Sequence, residues 1–152
     1  MVYGSIFSCS KTLCTHFCQQ VGSFPDPEIL LDKDPIKVAT EAKFLGLVSD
    51  RTLSFKSHIQ YLKTSCQKAL DILRVVGHTD RGAGRTVLLR RSLIRSRLDY
   101  GFMVYGSTRQ SCLKQLDPIE NQGLRIALWT FPTSIARSLY VEAQEPSLVF
   151  RR

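Results

Sequence analysis

From Ile59 to Val76 apolar side chains return every three or four residues, at Ile59, Leu62, Cys66, Ala69, Leu70, Leu73 and Val76. A period near 3.6 makes one stripe along an α-helix and nothing coherent on a strand, so this stretch must form a helix with one buried face. Ser54 is placed to cap its start and Gly77 to end it, which predicts a helix over 55–76. Lys56, Lys63, Lys68 and Arg74 are left for its other faces. A second helix is expected from about Gly84, carrying Val87, Leu88, Leu89, Leu93, Ile94 and Leu98 among five arginines. A third runs from about Gln110 to Leu128 with a break or restart at Pro118, and shorter ones follow at Ser134 to Glu142 and from Pro146.

Upstream of Asp50 the pattern changes to strands and turns. Thr12 to Cys18 reads as a strand, Gly22, Pro25 and Pro27 as a turn, and Ile29 to Leu31 as a second strand. Ile36 to Ser49 alternates loosely and ends in the apolar run Phe44 to Val48, where Gly46 in mid-run implies close approach by another backbone or a ligand. The expected fold is α+β, a short antiparallel hairpin region followed by an α-helical bundle.

With 152 residues the chain has room for one core, and its 43% apolar and 22% charged residues exclude wholesale disorder. No run approaches the roughly 20 apolar residues of a membrane span, and no secretory leader is evident, so an intracellular protein of the cytoplasm or nucleus is expected. The net charge of +8 is concentrated: residues 51–97 hold eleven Lys and Arg against two Asp, net +9, while residues 1–50 carry −2 and residues 98–152 carry +1. Such a field suits a polyanion, because each cation that neutralises a phosphate releases counterions. The alternative is a solvated helical face.

The five cysteines, Cys9, Cys14, Cys18, Cys66 and Cys112, have no repeated pair spacing and read as reduced thiols. Cys14, His16 and Cys18 suggest a metal, but on a strand all three face one side, and no second ligand pair follows; a small-residue core face is the preferred reading. There is no phosphate-binding glycine loop, no histidine pair on a helix and no serine elbow. Asp50, Asp99 and Asp117 lie singly, so no two-metal carboxylate cluster is apparent.

Several phrases, in this order, carry a resemblance: GSIFSCSKTLCTHFC at Gly4 to Cys18, FLGLVSD at Phe44 to Asp50, LSFKSHIQYLK at Leu53 to Lys63, RSRLDYGFMVYGS at Arg95 to Ser107, LDPIENQGLRIALWTF at Leu116 to Phe131 and SLYVEAQEPSL at Ser138 to Leu148. Together they resemble the reverse transcriptase of jockey-type, LINE-like non-LTR retrotransposons. The resemblance implies an end of the palm over 1–52, a basic helical thumb over 53–107 and a helical connection over 108–152. Lys11 falls where the family's motif D carries a lysine near the incoming nucleotide's phosphates. Phe44, Leu45, Gly46 and Leu47 match the primer grip, a tight hairpin supporting the primer end. Lys56, Lys63, Lys68, Arg85, Arg90, Arg91, Arg95 and Arg97 would then hold a template and primer duplex of RNA or DNA by its backbone, without reading sequence.

In that family the metal-binding aspartates, with their [FY]ADD turn, precede motif D, and this chain begins after them. Magnesium serves the intact family, but no cofactor is expected here, and the chain alone is expected to lack polymerase activity. Two departures weaken the thumb. The family typically reads LLRLYRSLIRS where this chain has LLRRSLIRS at Leu88 to Ser96, as if two residues were lost, so the helix must kink, unwind or bury arginine. Arg81 stands where relatives tend to carry tryptophan. A small basic nucleic-acid-binding protein and a purely structural helical module remain as alternatives.

Overall fold

The periodic stretch forms the longest helix of the computed structural model, which describes residues 11–18, 25–31, 33–79 and 83–151. This helix, α1 (Lys56–Thr79), buries Ile59, Leu62, Cys66, Ala69, Leu70 and Leu73, the stripe that the spacing required. Its start is organised differently from the expected Ser54 cap. The Asp50 carboxylate accepts hydrogen bonds from Thr52 Oγ1 and Ser54 Oγ at 2.7 Å and from the Phe55 backbone N–H at 2.8 Å. Gly77 does not end the helix. It is buried within it, and a Cβ there would meet only ordinary contacts, with Ile126 and Thr86 at 3.8 Å and Trp129 at 4.0 Å.

Two compact units divide at 57/58. In residues 1–57 the strands are short. β1 (Leu13–Cys14) pairs in parallel with β4 (Lys37–Val38), whereas β2 (Leu30–Leu31) with β3 (Asp34–Pro35) and β5 (Glu41–Phe44) with β6 (Leu47–Asp50) are antiparallel. The parallel pair corrects the all-hairpin expectation. Residues 15–36 make a connection long enough for the crossover that parallel strands require. The strand expected over Thr12 to Cys18 is reduced to Leu13 and Cys14, near its start. Gly4 to Ser10, Gly22, Asp32 and Arg81 lie outside the described residues.

Residues 58–152 hold α2 (Ala83–Arg90), a π-helical stretch (Arg91–Arg95), α3 (Ser96–Asp99), α4 (Phe102–Tyr105), α5 (Gln110–Leu113), a 3₁₀ turn (Lys114–Leu116), α6 (Asp117–Leu128), α7 (Ala136–Glu142) and a final 3₁₀ turn (Leu148–Arg151). Pro118 sits in the first turn of α6, where its missing N–H has no helical partner to lose, so the restart falls where expected. α6 packs on α2, on the π-helical stretch and on α7, all within residues 58–152. Leu124, Leu139 and Ala143 form one core cluster with Leu128 and Tyr140 against it.

The register break expected in the second helix takes a definite form. Thr86, Arg90, Ile94 and Leu98 are buried, a strict spacing of four. In an α-helix each such step drifts by about 40°. The wider π turn at Arg91–Arg95 winds more slowly and holds the four residues toward one side. Ser92 Oγ, bonded to the Leu89 carbonyl at 3.0 Å, and Ser96 Oγ, bonded to the Ser92 carbonyl, compete with the helical ladder in this stretch. Gly123 brings α6 close: a Cβ there would lie 3.1 Å from Ile94 Cδ1 and 3.4 Å from Arg90 Cγ. The helix therefore both unwinds and buries an arginine.

Candidate nucleic-acid interface

Of the cationic residues expected at a duplex, Lys56, Lys63 and Lys68 are exposed on α1, and none forms an ion pair among the described residues. At about 100° per residue Lys56 and Lys63 lie within about 20° of each other and about 10 Å apart along the axis. Gln60 and Gln67, also exposed, fall on the same stripe, which contains no acidic side chain until Asp71 near its end. Asp71 is paired with Arg74 at 2.6 Å. Lys68 stands about 140° around the helix from Lys63, beyond a single line of phosphates.

The arginines behave otherwise. Arg90 was expected at the phosphate backbone, but its side chain is 0% exposed, with Nη1 3.0 Å from Glu120 Oε1 and Nη2 bonded to Glu145. No phosphate reaches it in the folded chain. The apolar slot created by the four-residue spacing falls on an arginine, and the desolvated charge is held by two buried carboxylates. Arg91 pairs with Glu145 at 2.5 Å, and Arg95 with Glu145 at 3.4 Å and Asp99 at 3.3 Å. Arg151 reaches Asp99 at 2.6 Å and Glu120 at 2.8 Å. Four guanidiniums thus share three carboxylates. Burial opposes ionisation of Glu145, but hydrogen bonds from Arg91 and Arg90 and the charges of Arg90 and Arg95 outweigh it and hold its carboxyl below the ordinary glutamate range.

Arg97 donates to the Ser65 carbonyl at 2.8 Å and to Ser65 Oγ at 3.0 Å, tying α3 to α1. Arg85 is exposed on α2. Tyr105 Oη donates to the Leu98 carbonyl, satisfying an end of α3, and its ring lies 5.1 Å from the buried His58. Burial pushes the Cys66 thiol up to about 11; Arg97 pulls it down and Glu120 adds to the rise.

In the other unit, Phe44 to Leu47 form a two-residue hairpin: Phe44 pairs with Leu47, and Leu45 and Gly46 take φ of 45° and 82°. Positive φ at both positions is the I′ geometry that matches strand twist. Gly46 is explained by this turn rather than by a neighbouring backbone. The tip is exposed, with Phe44 at 73% and Leu45 at 70%. Lys11 is an exposed turn residue just before β1.

Sequence reasoning missed Glu120 and Glu145, which stand in the phrases LDPIENQ and EAQEPSL. A usable signal was present: an arginine at a core position of a helix requires a carboxylate elsewhere. Among the described residues, no helix is long and apolar enough to cross a membrane. Compared with known proteins, the chain matches no family model, no curated protein and no solved structure.

Proposed function

We propose that this chain grips the sugar-phosphate backbone of a nucleic-acid duplex, as the thumb of a non-LTR reverse transcriptase does, and performs no chemistry by itself. The observation that carries this reading is the exposed stripe of Lys56, Gln60, Lys63 and Gln67 on α1: cations and amide donors, no carboxylate between them. Such a surface contacts phosphates whatever the sequence. Lys68 adds charge from the flank. The two-residue turn at Leu45 and Gly46 is consistent with a backbone support for a strand end.

Binding of a labelled RNA–DNA duplex across a salt series tests it. Log affinity should fall linearly with log salt, by about 0.9 per phosphate neutralised. The combined Lys56→Gln, Lys63→Gln and Lys68→Gln variant should lower that slope by about two to three. Absent binding at low salt, or a slope unchanged in the variant, would overturn the proposal. With nucleotides, magnesium and a primed template, no extension is expected.

One observation favours a second reading, a structural helical module. Arg90, Arg91 and Arg95, which supply much of the central positive charge, have carboxylate partners. This module would show no affinity for the duplex even at low salt, so the same titration separates the two.

A further inference from the structure

Where the C-terminal half of α1 meets α6, a cleft of about 640 Å³ adjoins a smaller one of about 200 Å³. Arg74, Arg125, Ile126 and Thr130 line both; Trp129 and His78 belong to the smaller. The larger has the size of a small-molecule site. Among the described residues, no acidic side chain lines either cleft. Asp71 pairs with Arg74 from outside the lining.

Three features point to a ligand. Arg125 Nε and Thr130 Oγ1 are buried without a hydrogen-bond partner, although buried polar groups are nearly always satisfied. Arg125 is at the same time held in place, since its Nη2 donates to the Ser134 carbonyl at 3.0 Å. Its Nε–H is therefore a fixed donor with no acceptor among the described residues. Second, Trp129 ends α6 in the left-handed conformation, φ 56° and ψ 34°, where glycine or asparagine is the usual occupant. An indole kept at a strained position, 47% exposed beside the cleft, is an aromatic surface on offer. Third, two guanidiniums with no acidic lining among the described residues favour an anion.

We propose that this cleft binds a nucleotide unit, with its phosphate at Arg125, Arg74 and Thr130 Oγ1 and its base stacked on Trp129. Base stacking on an aromatic residue next to arginine is how unpaired nucleotides are commonly held. The ligand is an unpaired nucleotide, either free or within a single strand. The inference goes beyond the duplex reading and does not rest on it, because it uses none of the α1 lysines.

Trp129 is the sole tryptophan, so its fluorescence reports on the site directly. The full chain is titrated with AMP, with a six-residue oligodeoxyadenylate, and with inorganic phosphate and adenosine separately. Saturable quenching by AMP is expected if free nucleotide is the ligand, and by the oligonucleotide alone if the unit must belong to a strand. Arg125→Gln should weaken the effective ligand at least tenfold. Arg74→Gln, a change on a partly exposed side chain that leaves the core intact, should weaken it severalfold with an unaltered circular dichroism spectrum. No saturable quenching by AMP or oligonucleotide would overturn the proposal. So would affinity unchanged in both variants, or inorganic phosphate that competes as well as AMP does.

Discussion

Arg90 and Glu120 face each other at 3.0 Å, and neither side chain has any solvent exposure. Glu120 Oε1 also accepts from Arg151 at 2.8 Å, while Oε2 has no partner. An ion pair of this kind contributes little net stability against a well-packed apolar pair, yet losing one partner is severe.

Glu145 serves three guanidiniums, so Glu145→Ala is expected to destabilise the helical unit by about 3–5 kcal/mol. Arg90→Leu is gentler. Glu120 keeps Arg151, and Glu145 keeps Arg91 and Arg95. A loss below about 2 kcal/mol is expected, because the leucine suits the apolar slot. Urea midpoints of the two variants check the order; a larger loss for Arg90→Leu would contradict it.

Acid should act through Asp50. Burial raises its pKa, but the hydrogen bonds from Thr52, Ser54 and Phe55 outweigh that and lower it from 3.8 to about 2. The unfolded chain then binds the proton more tightly, so this stabilisation is complete above about pH 4 and disappears as pH falls toward 2. Asp50→Asn should cost about 1–2 kcal/mol at pH 7, discounted for partial exposure, and should flatten the decline of Tm between pH 4 and 2. His58, lowered by burial from 6.5, adds a separate loss that begins as pH drops below that value.

The hairpin tip is open to improvement. Leu45 holds φ 45°, a region costing a leucine about 1–2 kcal/mol and asparagine less. Leu45→Asn creates the preferred Asn-Gly turn and should stabilise residues 41–50 by about 0.5–1 kcal/mol. Gly46→Val should cost more than 1 kcal/mol at φ 82°. Amide exchange across β5 and β6 reads both; equal protection in the two variants would contradict the turn assignment.

Cysteine chemistry should separate by burial. Cys66, fully buried and with its thiol at about 11, is expected to resist alkylation at pH 8 until the chain unfolds, while the half-buried Cys14 and Cys18 react first. Mass spectrometry after timed labelling decides; prompt modification of Cys66 in folded protein would show the core to be open.

Much of the helical unit was legible because one stripe of α1 and the Pro118 restart are local signals. The conflict over Leu88 to Ser96 was legible too, since a mismatched period forces either unwinding or a buried charge. Which of these would occur was not legible: the answer depends on Glu120 and Glu145, which are distant in sequence. The same distance hid the fate of Arg90, Arg91 and Arg95, whose composition reads as a phosphate-binding surface until the neutralising partners arrive in space. The parallel pairing of Leu13 with Lys37 escaped for a related reason, since two-residue strands carry no alternation to set their partners.

The single carboxylate of Glu145, three residues beyond the last α-helix, behaves as a clasp on the middle of the chain. Losing it would strip the counter-charge from Arg91 and leave Arg95 with Asp99 alone, so a residue about fifty positions away governs how strongly these two arginines attract anions.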